Sequence, residues 1–79
     1  MQHRFDQKLD LTKIAAPLNL LRARSAITAM LPGKSLYIIA SGGTAKRDFQ
    51  AFSKVAECPI LEEAEEDMQY HCILSKPSS

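Results

Sequence analysis

Leu9-Asp10-Leu11-Thr12-Lys13-Ile14-Ala15-Ala16-Pro17, followed by an apolar-periodic run to Met30-Leu31, is the stretch whose reading decides the fold. It reads as the end of a strand, a short turn, and a helix that begins at Pro17. Proline is favoured at the first helical position, because its missing N–H would have no intrahelical partner there. Leu20, Ala23, Ile27, Met30 and Leu31 recur at three- and four-residue steps and form one apolar stripe. Arg22, Ser25 and Ala29 fall off that stripe, so Arg22 is expected to face solvent. Pro32-Gly33 closes the helix, Gly suiting a left-handed terminal position and Pro being unable to continue. The start of such a helix offers free N–H groups and a positive dipole end, which favour an anion or a thiolate. The residue in front of Pro17 is Ala16, which has no reactive group.

Outward from this stretch, Phe5 to Leu11 alternates as a half-buried strand, with Phe5, Gln7 and Leu9 on one side. Ser35 to Ala40 is a short, nearly continuous apolar run and reads as a central strand covered on much of both faces. Ser41-Gly42-Gly43-Thr44 is a turn, with Thr44 placed to cap a helix over Ala45 to Ala56. On that helix Phe49, Phe52, Val55 and Ala56 share one face, and Lys46, Gln50 and Lys54 another. Pro59 to Glu65 is an acidic strand, Glu66-Asp67 a tight turn, and Met68 to Lys76 a strand with Met68, Tyr70, Cys72 and Leu74 pointing one way. The order is β-α-β-α-β-β. Right-handed crossovers then place both helices on one face of a mixed four-stranded sheet, giving an α/β chain built as an α+β two-layer sandwich. Residues 1–79 are expected to form a single domain, since the length suits one small core and not two.

Composition is that of a soluble globular protein. Met1 to Lys8 has no apolar core of a secretory signal, and no apolar run approaches the roughly 20 residues that cross a bilayer. A cytoplasmic location without membrane association is the expectation. Nine of the ten Lys and Arg residues precede Glu57, whereas acid gathers at Glu57, Glu62, Glu63, Glu65, Glu66 and Asp67. Such asymmetry can orient a partner or simply form solvated faces.

The order of elements resembles the TusA/SirA-like sulfur carrier family. The pieces that carry the resemblance are Asp10-Leu11 leading into a Pro-started helix, Leu31-Pro32-Gly33 closing it, and Arg47-Asp48 followed by Phe52. It covers about Leu9 to Lys76. Family members carry Gly-x-x-Cys-Pro-x-Pro at the first helix. Its Cys accepts a persulfide sulfur from a cysteine desulfurase and hands it on, for tRNA thiolation or other pathways. A thiol at a helix N-terminus has a lowered pKa, which suits that chemistry. By this resemblance Pro17 keeps the first Pro, while Ala16 stands at the Cys position, Lys13 at the Gly and Asn19 at the second Pro.

The resemblance therefore implies a sulfur-relay protein without covalent sulfur transfer, acting through contact with a cysteine desulfurase or a downstream relay protein. Whether the chain is an enzyme stays open, with no catalytic residue, metal or cofactor assigned. Ala16, Pro17, Lys13, Arg22, Arg47 and Asp48 form the expected interaction set. One alternative is a sulfur carrier using Cys58, or a chain whose natural Cys at position 16 has been replaced. Another is an anion- or RNA-binding module using Lys13, Arg22, Lys46 and Arg47, although few aromatics are free to stack on nucleic acid. Cys58 is expected at or just beyond the end of the second helix, where partial negative charge raises a thiol pKa. Cys72 is expected as an inert core residue. His71 and Cys72 are adjacent on a strand and so point to opposite faces, which excludes a shared metal and leaves His71 on the open face.

Overall fold

The computed structural model describes residues 3–77. Its elements are β1 (Gln7–Leu11), α1 (Leu18–Ala29), β2 (Ser35–Ser41), α2 (Ala45–Ala56), β3 (Ile60–Glu66) and β4 (Gln69–Ser75). The sheet order is β1-β2-β4-β3, with β1 parallel to β2 and the other two pairings antiparallel. This is the mixed four-stranded α+β sandwich expected from the sequence.

Alternation along the two central strands builds the core. Leu36, Ile38 and Ala40 of β2 and Tyr70, Cys72 and Leu74 of β4 turn to one face. There they meet Ala23, Ile27 and Met30 from α1 and its C-terminal end, and Ala45 and Phe49 from α2. Phe49 is fully buried and lies 6.3 Å from the Tyr70 ring, centroid to centroid, in a stacked arrangement.

The opposite sheet face carries a cluster of its own. Ile73 is fully buried although it points away from the helices. It sits opposite Tyr37, whose ring lies 5.0 Å from that of Phe5. The Tyr37 hydroxyl and His71 Nδ1 share a 2.7 Å hydrogen bond, and Lys8 Nζ stands 5.5 Å above the Tyr37 ring. Phe5 therefore leaves the expected alternation with Leu9: it precedes β1 and covers the far face. His71 is half-buried on that face rather than a free surface residue. Asp6 anchors this corner. Its carboxylate accepts from Ser35 N at 2.8 Å, which holds its pKa below the usual carboxylate range.

Helix and turn boundaries differ from expectation in ways with local causes. Pro17 flanks α1 at φ −90° and ψ 3° instead of opening it, and its carbonyl accepts from Leu20 N and Leu21 N. The helix ends at Ala29. Leu31-Pro32-Gly33-Lys34 is a separate turn, closed by Lys34 N donating to Leu31 O at 3.2 Å, with Gly33 at φ +85°. That is the geometry of a type II turn, with Pro and Gly at its two central positions. Thr44 donates its hydroxyl to the Asp48 carboxylate at 2.8 Å rather than capping a backbone N–H. The hairpin turn is one residue later than expected, at Asp67-Met68, because Glu66 pairs with Gln69. Both turn residues have positive φ, +50° and +64°, as a two-residue type I′ hairpin requires. For a side-chain-bearing residue such as Met68 that backbone costs on the order of 1–3 kcal/mol.

Three apolar residues assigned to the core lie outside it. Leu31, Val55 and Met68 are 69%, 83% and 95% exposed. Leu31 falls beyond the helix, Val55 faces outward from the last turn of α2, and Met68 occupies the hairpin tip. A Phe49→Ala variant is expected to lose about 3–5 kcal/mol of stability in urea unfolding. Val55→Ala should stay within about 0.5 kcal/mol of the parent.

Candidate functional site

The parallel pairing of β1 with β2 decides where a site can form. Leu11 lies beside Ala40, and Ser41 lies beside Gln69. The ends of β1 and β2 and the start of β4 therefore share one edge of the sheet. Each helix follows one of those strand ends, so α1 and α2 both begin at that edge, and the β3–β4 hairpin tip reaches it as well. The edge presents 12–17 ahead of α1, 42–44 ahead of α2, and Asp67-Met68.

Thr12 to Pro17 is held from the strand side. Asp10 accepts from Thr12 N at 2.9 Å and from the Thr12 hydroxyl at 2.7 Å, which lowers its pKa. Ile14 N donates to Leu11 O at 3.1 Å, and Ile14 packs on the core. Lys13, Ala15, Ala16 and Pro17 are exposed. The Ala16-Pro17 peptide is cis. Asn19, two residues beyond Pro17, is 1% exposed and accepts from Leu20 N at 2.7 Å. Leu18 and Leu21, at 50% and 57% exposed, stand on the outer side of the same first turns. Sequence periodicity missed both, because leucines placed off the core stripe give no signal of their own.

The second helix start carries Arg47 and Asp48. Arg47 is exposed, and its Nε lies 3.8 Å from Asp48 Oδ1. Asp48 sits in the first turn, where its negative charge suits the helix dipole. Lys46 Nζ lies 3.6 Å from Glu65 Oε1. Two of the four cations of the expected basic patch are thus beside carboxylates. Lys13 and Arg22 are exposed as anticipated. Gly42, at φ +109°, forms the turn between β2 and α2, and Ala45 N donates to Gly42 O at 3.2 Å.

Neither thiol is at this edge. Cys58 follows α2 at the opposite end, is 1% exposed, and its Sγ lies 3.5 Å from Ala56 O, to which it donates. Burial pushes its pKa up, only partly offset by the Lys76 ammonium. Cys58 lines a cavity of about 420 Å³ between the C-terminal halves of the two helices, with Ile27, Phe52 and Lys76 among its walls. Cys72 is fully buried in the core. Burial pushes its thiol up to about 12, with the Tyr70 hydroxyl opposing and Glu63 reinforcing the shift. Among the described residues, no three His, Cys, Asp or Glu side chains group to hold a metal ion.

These environments set a pH dependence. A thiol whose pKa is raised by folding loses its proton first in the unfolded chain, so rising pH favours unfolding. Urea stability is expected to fall from about pH 9, where an ordinary thiol ionises, toward about 12, where Cys72 does in the fold. Alkylation of both thiols at neutral pH should be at least about tenfold slower in the folded chain than in urea.

The comparisons with known proteins agree with this architecture. The sequence model of the family described as Sulfurtransferase TusA matches residues 7–76. The chain is 36% identical over 72 residues to the sulfur carrier protein TusA of Allochromatium vinosum, covering 91% of this chain and 95% of that one. The crystal structure of a SirA-like protein from Desulfitobacterium hafniense superposes with a TM-score of 0.77 at 14% identity. That superposition covers 91% of this chain and 99% of the other, and it supports the fold. With the family match spanning nearly every element of the sandwich, this chain belongs to the TusA sulfur carrier family.

Proposed function

We propose that this chain acts in a sulfur relay by docking to a protein partner, a cysteine desulfurase or a downstream relay protein, without taking the sulfur itself. The observation that carries this reading is Ala16, exposed immediately before Pro17 and α1, where the family resemblance puts the acceptor Cys. Alanine offers no nucleophile. The two cysteines of the chain are buried with raised pKa values, so neither supplies a ready thiolate.

The docking surface comprises Lys13, Ala16, Pro17, Arg22, Arg47 and Asp48, with Leu18 and Leu21 adding apolar area beside Pro17. Exposed leucines rimmed by charged residues suit contact with a protein. The carboxylates of Glu65 and Asp48 beside Lys46 and Arg47 lower the net positive charge of this edge, which disfavours a phosphate-binding surface. A cytoplasmic setting fits a desulfurase partner. In the described residues no helix is long and apolar enough to cross a membrane. Residues 1–79 act in this reading as one domain.

The test is intact-mass analysis after incubation with a purified cysteine desulfurase and cysteine. The native chain is expected to gain no sulfur, and Ala16→Cys to gain one atom that a reductant removes. In that variant the introduced thiolate attacks the outer sulfur of the desulfurase persulfide. A new S–S bond forms and the desulfurase thiolate leaves. Sulfur gained by the native chain and lost in Cys58→Ser would overturn the proposal in favour of a carrier using Cys58. No gain in either chain, together with no complex by calorimetry, would remove the desulfurase as partner.

A further inference from the structure

Met68 combines two features that the fold itself does not account for. Its side chain is 95% exposed, so it contributes almost nothing to the core. Its backbone is left-handed at φ +64°, a conformation glycine adopts without cost and the preferred second residue of this turn type. A methionine here is unfavourable for the turn and unused by the interior. Its flexible, polarizable thioether is suited to an adaptable contact with another molecule.

Beside Met68 is a groove of about 180 Å³, lined by Gly42, Gly43, Glu65, Met68, Gln69 and Tyr70. A Cβ added at Gly42 or Gly43 would meet nothing within 4 Å, so the groove is open on that side. Glu65 pairs across the ladder with Tyr70 and is the one carboxylate among the lining residues. Its pairing with Lys46 spans 3.6 Å between side chains that are 62% and 50% exposed, a loose surface pair that a better partner can displace. Glu66 and Asp67 continue the negative charge to the hairpin tip.

We propose that the β3–β4 hairpin tip is a docking element for a basic, apolar segment of the partner protein. An arginine of that segment enters the groove toward Glu65, its stem lying along Met68 and the Gly42-Gly43 backbone, and an apolar neighbour packs on the Met68 thioether. The proposal rests on the protein-docking reading above and adds an anchor to it. A carboxylate in a groove with apolar walls matches a guanidinium on an aliphatic stem, and the acidic tip repels a nucleic acid.

The experiment compares the native chain with Met68→Gly and Glu65→Gln, using two probes. These are a purified cysteine desulfurase and the synthetic peptide Leu-Arg-Leu-Leu-Arg. Met68→Gly creates the favoured Asp-Gly turn, so its melting temperature should rise by about 5 °C. Its dissociation constant for the desulfurase should nevertheless rise at least about fivefold. Glu65→Gln should weaken binding about threefold and flatten its salt dependence. A native complex that neither variant weakens overturns the hairpin anchor and leaves the proposed function standing. If the native chain does not bind the desulfurase, that partner falls, and amide shifts with the peptide decide the anchor. Shifts confined to Gly42, Gly43, Met68 and Gln69 support it; shifts elsewhere, or none, overturn it. A dimer that dissolves in Met68→Gly, or a single-stranded RNA that binds at these amides in place of the peptide, also overturns it.

Discussion

The parallel pairing of β1 with β2 is the constraint on which the rest of this structure depends. A parallel neighbour needs a crossover, and the crossover hand puts the connecting helix on a determined face. Once α1 lies there, α2 follows the adjacent strand and covers the same face, between β2 and the β3–β4 hairpin. The register that sets Leu11 beside Ala40 and Ser41 beside Gln69 then brings two helix starts and a hairpin tip to one edge. The opposite edge receives the helix ends, and Lys76 Nζ donates there to Ile27 O and Thr28 O at the end of α1. The two edges therefore differ in chemistry: one has helix starts and exposed loop residues, and the other has satisfied carbonyls and a buried thiol.

A two-helix layer covers only one side of a four-stranded sheet, and the uncovered side must be managed. Here it is managed by side chains. Tyr37 stands opposite Ile73 with the Phe5 ring against it, and the Tyr37–His71 hydrogen bond gives the polar ends of both rings a partner on that face. Burial, followed by the carboxylates of Glu66 and Glu62, raises the Tyr37 pKa, which keeps the phenol protonated. Asp6 fastens the segment that carries Phe5 through Ser35. A chain of this length has little interior to draw on, so this second cluster adds apolar burial that the helix layer does not supply.

The two thiols lie away from both helix starts, in the core and behind the end of α2. The helix start that would lower a thiol pKa is occupied by Ala16, while the existing thiols occupy sites that raise it. The edge retains exposed apolar and charged groups suited to contact, including Leu18, Leu21 and the Arg47-Asp48 pair.

The element order, the extent of α2 and the inward set of β4 were legible in the sequence, because periods of two and of about 3.6 residues leave their mark on apolar spacing. So was the family likeness carried by the Leu-Pro-Gly turn and the Arg47-Asp48 pair. Periodicity could not place residues at element ends. Leu31 and Val55 keep the helical spacing yet face water, because one lies past the last turn and the other extends beyond the sheet's cover. Nor could it register a buried polar residue: Asn19 is polar by type yet 1% exposed, its side-chain oxygen accepting from Leu20 N. The hairpin turn moved by one residue because Glu66 pairs across the strands with Gln69, leaving Asp67-Met68 as the two-residue loop, and no glycine marks that position in the sequence. Sequence alone determined which elements form and which side chain stands ahead of each helix. Tertiary structure decided which groups share an edge, because pairing register and helix placement depend on residues far apart in the chain.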